Sequence, residues 1–134
     1  MGEHQMWEAW SYENSPKELC CFAIPFGGGS KNRMHIVTRN GRKILTDSAR
    51  KFKQDVALLA MHAVRDVKFK KGKIWLSIFV EMPTARTDAV NLVDLICDGV
   101  QDGIGINDRN FSIWRLDSEV VKFDPQIYIA LGQW

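Results

Sequence analysis

From Ile74 to Glu81 the chain alternates without a break: Ile74, Leu76, Ile78 and Val80 fall on one side, Trp75, Ser77, Phe79 and Glu81 on the other. A period of two belongs to a β-strand. The first set is expected to face a core, and the second is amphipathic. Met82-Pro83 closes the strand, because proline lacks the N–H that a ladder needs. Whatever surrounds this segment must therefore build a sheet.

Upstream, Leu19 to Ile24 is a short apolar run ended by Pro25, which reads as a buried strand. Met34 to Thr38 and Lys43 to Thr46 flank Arg39-Asn40-Gly41-Arg42. Asn-Gly is the preferred pair for a type I′ turn, so this is a hairpin with a cationic tip. Thr46, Asp47 or Ser48 can cap a following helix that runs to about Val67, with Phe52, Val56, Leu59, Ala63 and Val67 along one side. His62 on that helix reads as a surface histidine. Downstream, Thr84 to Val90 is a loop and Asn91 to about Asp102 a second helix, its apolar side formed by Leu92, Leu95, Ile96, Gly99 and Val100. Gly103 and Gly105 are expected to stop it. Phe111 to Lys122 and Gln126 to Leu131 read as strands parted at Asp124-Pro125.

The order β–β–β–α–β–α–β–β predicts an α+β domain: one small mixed sheet with two main helices packed on it. Residues 1–17 read as an N-terminal arm carrying Trp7 and Trp10, and residues 18–134 as the domain. A chain of 134 residues can form one core without staples. Its apolar runs fall well short of the ~20 residues needed to span a bilayer, so no membrane association is expected. The acidic N-terminus lacks the basic and apolar regions of a signal peptide. Cys20, Cys21 and Cys97 form no CxxC pair, and His4, His35 and His62 have no ligand spacing. A reducing, cytoplasmic setting is expected. Gly27-Gly28-Gly29 precedes no GK[ST] and leads into a strand, so no P-loop and no nucleotide cofactor are expected.

The formal net charge of +2 hides an asymmetry. Residues 31–73 hold thirteen Lys and Arg against three Asp, a net +10 that leaves −8 for the rest. Such a run can be a solvated face. It also suits a polyanion, and Lys31, Arg33, Arg39, Arg42, Lys43, Lys51 and Lys53 are the candidate phosphate contacts. The negative charge is concentrated in Asp88, Asp94, Asp98, Asp102 and Asp108, with no Lys or Arg between the first and the last. On one helix face, four-residue spacing of like charges costs about 0.2–0.5 kcal/mol per pair. A divalent cation would relieve that repulsion. Carboxylates at a strand end and helix entrance (Asp88) and beyond the helix (Asp108) can converge on Mg²⁺, with Mn²⁺ as a substitute. The plainer readings are a wet helix face and an N-cap role for Asp88. An EF-hand is excluded, because Arg109 stands where a bidentate Glu is required.

The span Met82-Pro83, Arg86-Thr87-Asp88-Ala89-Val90-Asn91-Leu92, Asp98-Gly99 and Gly105-Ile106-Asn107-Asp108 resembles the RusA family of crossover junction endodeoxyribonucleases. These are small Holliday junction resolvases common in phages and prophages. The resemblance implies a Mg²⁺-dependent, structure-selective endonuclease that acts on four-way junctions in DNA recombination and repair. It also implies a homodimer, because paired nicks need two active sites. Asp88 falls on the family's first catalytic Asp, Asn91 on its Asn, Asp98 on its helical Asp and Asp108 on the later catalytic Asp. The second catalytic Asp is Val90 here, the family Lys is Asp94, and Asn107 replaces the first residue of an Asp-Asp pair. The expectation is that Asp94 supplies the carboxylate missing at 90, with Glu81 a weaker substitute, and that Arg86 or Arg109 stands in for the Lys. The catalytic set is then Asp88, Asp108 and Asp94, with Asp98 as a further metal ligand and Arg86 and Arg109 added to the DNA contacts. The alternative is a protein of this fold that binds branched DNA without cutting it. Phe111 and Trp114 are expected to pack in the core.

Overall fold

Strand β4 (Ile74–Met82) is buried along all nine of its residues in the computed structural model, which describes residues 17–26, 35–37, 43–45, 47–84 and 90–134. Of residues 35–37, 43–45 and 90–91 only the backbone is described. Three further strands complete the main sheet: β1 (Glu18–Pro25), β5 (Phe111–Val120) and β6 (Gln126–Gly132). Their order is β1-β6-β4-β5. β6 runs antiparallel to both β1 and β4, whereas β5 lies parallel to β4. A parallel neighbour requires a crossover, and the helix between those two strands provides it. That helix, α2, spans Val90–Ile104, while α1 spans Asp47–Ala63.

The expected α+β domain, a small mixed sheet with two helices packed on it, is what forms, and its main sheet has four strands. Both helices cover one face of the sheet. Ile74, Leu76, Ile78 and Val80 of β4 and Ile127, Ile129 and Leu131 of β6 meet Phe52, Val56 and Ala60 of α1 and Leu92, Ile96 and Val100 of α2 in one cluster. Each large aliphatic side chain fully buried there contributes about 1.5–3 kcal/mol.

Four sequence expectations are corrected. The second set of β4 is as buried as the first: Trp75, Ser77 and Glu81 are 0% exposed and Phe79 4%. The central position of β4 is the reason, because a strand flanked on both sides is covered more completely than one at a margin. The hairpin strands β2 (His35–Val37) and β3 (Lys43–Leu45) pair only with each other, as a separate two-stranded sheet. The turn between them lies outside the described residues. Helix α1 ends at Ala63, short of Val67. Its ladder tightens into bonds three residues apart, from Arg65 N–H to the His62 carbonyl and from Val67 N–H to that of Val64. Gly103 lies inside α2, and the stop is Gly105 alone, whose φ of 73° is open to glycine and whose N–H reaches the Gln101 carbonyl at 2.9 Å.

Candidate metal centre and nucleic-acid interface

The acidic face of α2 is set by how closely that helix approaches α1. A Cβ on Gly99 would lie 2.7 Å from Val56 Cγ1 and 2.9 Å from the Lys53 carbonyl oxygen. One on Gly103 would strike the Ala57 carbonyl. Two glycines one turn apart thus let α2 rest on the backbone of α1, and the residues just before them, Asp98 and Asp102, are carried to the edge of the contact.

Lys53 meets them there. Its ammonium lies 3.7 Å from Asp102 Oδ2, and its side chain is only 29% exposed. Burial raises the Asp98 carboxyl above its ordinary range. Lys53 opposes that shift, and Asp108, Asp102 and Asp94 add to it. The Cys97 thiol is pushed up to about 11, first by burial and then by Asp108, Asp94 and Asp98. Three carboxylates from α2 and the segment after it therefore act on one place.

Asp108 reaches that place because the chain folds back after Gly105. Its N–H donates to Gln101 Oε1 at 2.7 Å, tying it to the last turns of α2. It opens a single 3-10 turn, Asp108–Asn110, capped by Asn107, whose Oδ1 accepts the Arg109 N–H at 2.9 Å. Asn107 thus has a local backbone role that a short amide fills well. Lys73 Nζ donates to the Arg109 carbonyl at 2.9 Å and fastens the turn from the other side.

The sequence candidates fare unevenly. Asp94, Asp98 and Asp108 are brought within electrostatic reach of Cys97. Asp88, Arg86, Lys31, Arg33, Arg39 and Arg42 lie outside the described residues, and Lys43 is described only as the first backbone position of β3. Lys51 is exposed on α1 and pairs with Asp55 at 3.4 Å. Lys53 faces the acidic helix, so it compensates carboxylates as well as adding to the basic segment. Arg109 is exposed in the 3-10 turn. Glu81 is removed from this group. Alternation puts it with Trp75 and Phe79 on the sheet face away from α2, where its Oε1 accepts the Gln126 N–H at 2.9 Å. Phe111 packs against the main core and Trp114 against the second cluster, as expected. The pairing of Lys53 with α2 and the tether from Gln101 were not anticipated. No local pattern signals a contact between residues 49 positions apart, or a hydrogen bond across a loop.

The donor chemistry suits a hard divalent cation: carboxylate oxygens, with the ionised form of Asp98 made costlier by burial and by its acidic neighbours. Among the described residues, no three His, Cys, Asp or Glu side chains are grouped to hold a metal by themselves. None of the described helices is long and apolar enough to cross a membrane. In comparison with known proteins, a family model described as endodeoxyribonuclease RusA matches residues 25–131. No curated protein matches the chain.

Proposed function

The chain belongs to the RusA family of endodeoxyribonucleases, and on that premise we propose that it is a Mg²⁺-dependent, structure-selective endonuclease that resolves four-way DNA junctions by paired phosphodiester hydrolysis, acting as a homodimer. The observation that carries this reading is the match of the endodeoxyribonuclease RusA family model to residues 25–131, and the acidic residues Asp94, Asp98 and Asp108 supply the carboxylates the reading needs. In the proposed site, Asp88, Asp108 and Asp94 hold the ion, with Asp98 beside them. Mg²⁺, or Mn²⁺ in its place, would lower the pKa of a bound water and offset charge on the phosphate. Val90 opens α2, and Asp94 stands four residues on, one turn along the same face. That spacing supports Asp94 as the replacement for the carboxylate absent at 90. Lys53 limits repulsion among the helical carboxylates while the ion is away. The cationic segment, with Lys51 exposed on α1 and Arg109 beside Asp108, provides phosphate contacts that give affinity without reading sequence.

A second reading is branched-DNA binding without cleavage. It is favoured by Val90, which stands where the resemblance expects the second catalytic Asp. One gel separates the two. A synthetic four-way junction and a linear duplex are incubated with the protein, in Mg²⁺ and in EDTA. Paired nicks on the junction alone, and only with metal, support resolution. Retarded but intact junction supports binding alone. Normal nicking by Asp94→Asn would end the relocation idea.

A further inference from the structure

Between α1 and β4 the chain gathers positive charge into a short loop. Residues 65–73 hold Arg65, Lys68, Lys70, Lys71 and Lys73 against Asp66 alone, and Arg65 already pairs with that acid at 3.9 Å. All five cations are exposed. Among the described residues, Lys68, Lys70 and Lys71 pair with no carboxylate. A soluble surface normally mixes both signs of charge, and this one does not.

The fold anchors this loop from behind. Phe69 packs against the main core, while Lys68 and Lys70 on either side of it are exposed. Gln133, only 7% exposed, holds the backbone between them and β4. Its Oε1 accepts the Lys70 N–H at 2.9 Å, and its Nε2 donates to the Lys70 carbonyl at 2.8 Å and to the Lys73 carbonyl at 3.4 Å. Gly72, with a φ of 129°, makes the bend into the strand. The loop also sits beside the candidate metal centre. Ile74 and Phe111 are partners at the start of β4 and β5, so residues 68–73 and the Asp108–Asn110 turn lie at one end of the sheet. Lys73 Nζ, donating to the Arg109 carbonyl at 2.9 Å, joins the two.

We propose that Lys68, Lys70 and Lys71 form a preorganised contact for the DNA backbone, placed beside Asp108 so that they hold phosphates flanking the one to be cut. The proposal rests on the nuclease reading for DNA as the polyanion. Ammonium groups bind phosphate as point charges and read no sequence, which suits a contact that must accept any arm of a junction. Because Phe69 and Gln133 already fix the backbone, only the lysine side chains lose freedom when DNA binds, and that lowers the cost of the contact. Lys73 has a different part: it ties the loop to the turn that carries Asp108, and so sets the bound strand's place relative to that carboxylate.

The test is fluorescence anisotropy of a labelled four-way junction and a labelled linear duplex in EDTA, titrated with the full chain over a range of NaCl. It yields the slope of log K against log salt. Lys68→Gln/Lys70→Gln/Lys71→Gln should reduce that slope by about 2–3 and weaken binding at least about tenfold in about 0.1 M salt, with circular dichroism and Tm unchanged. Lys68→Arg/Lys70→Arg/Lys71→Arg, which keeps the charge, should keep the slope. Lys122→Gln, exposed past the far end of β5 and about 30 Å away, should alter it by less than about 0.5. An unaltered slope in the glutamine variant, an equal fall per charge from Lys122→Gln, or a native chain that binds neither DNA would overturn the proposal. Single-turnover nicking in Mg²⁺ at saturating protein reads the nuclease separately. A chain that shows these slopes yet never nicks keeps the contact and ends the nuclease reading; one that nicks the junction with an unaltered slope in the glutamine variant does the reverse.

Discussion

Replacing Gly103 with alanine sets two known effects against each other at one atom. In an exposed helix interior the change is stabilising by about 0.8–1 kcal/mol. Here the new Cβ points at backbone: it would strike the Ala57 carbonyl oxygen and come 3.0 Å from its carbon and 3.1 Å from Cα. A carbonyl within a helix cannot rotate aside, so α1 and α2 must separate. Overpacking of this kind typically costs about 1–3 kcal/mol. The backbone clash outweighs the gain in helix propensity, and we expect Gly103→Ala to lose about 1–2 kcal/mol, a fall of roughly 3–8 °C in Tm for a domain of this size. Urea unfolding with an unchanged m-value checks it. The separation should also draw Lys53 away from Asp102, so that the variant's stability depends less on salt than the native protein's. If Gly103→Ala were as stable as the native chain, or more so, the close crossing would not constrain the fold, and the account of how Asp98 and Asp102 meet Lys53 would fail.

Other expectations rest on single contacts. Lys53→Met should destabilise by about 0.5–1 kcal/mol at low salt, the range for a partly exposed pair, and the deficit should shrink as NaCl is added to the urea titration. Burial raises the Asp98 carboxyl, so its ionised form opposes folding. The stability linked to its protonated form is complete below about pH 3.8 and is lost as pH rises through the higher folded value. Asp98→Asn should therefore stabilise the metal-free protein at pH 7, by no more than about 1 kcal/mol given the group's exposure, with the advantage narrowing toward pH 4. Cys97, at about 11, should alkylate slowly at pH 8, with roughly one thiol in a thousand ionised. Mg²⁺ should speed that reaction by offsetting Asp94, Asp98 and Asp108 while leaving Cys20 unchanged, and iodoacetamide labelling followed by mass spectrometry reads both. Asp108→Asn should lower junction cleavage by at least about 100-fold, the consequence of losing several kcal/mol of charge stabilisation, with junction retardation on gels retained.

The sequence by itself determined the elements and their order. Alternation from Ile74, the Asn40-Gly41 pair, the helical spacing of Phe52 and Val56 and the punctuation at Pro83 and Gly105 are local signals. Each acts through the backbone nearest to it. The acidic stretch was legible for the same reason, and so was the resemblance it carries. Tertiary structure decided what each face meets. Trp75 and Glu81 look like the wetter side of a strand until that strand is placed between two others. Gly103 looks like a helix stop until its missing side chain is seen to admit Ala57. Lys53 reads as one more cation in a basic run, yet packing sets it against Asp102 on another helix. Periodicity is stored along the chain, whereas burial and charge pairing depend on which surfaces meet, and the meeting of surfaces far apart in sequence leaves no mark on either one alone.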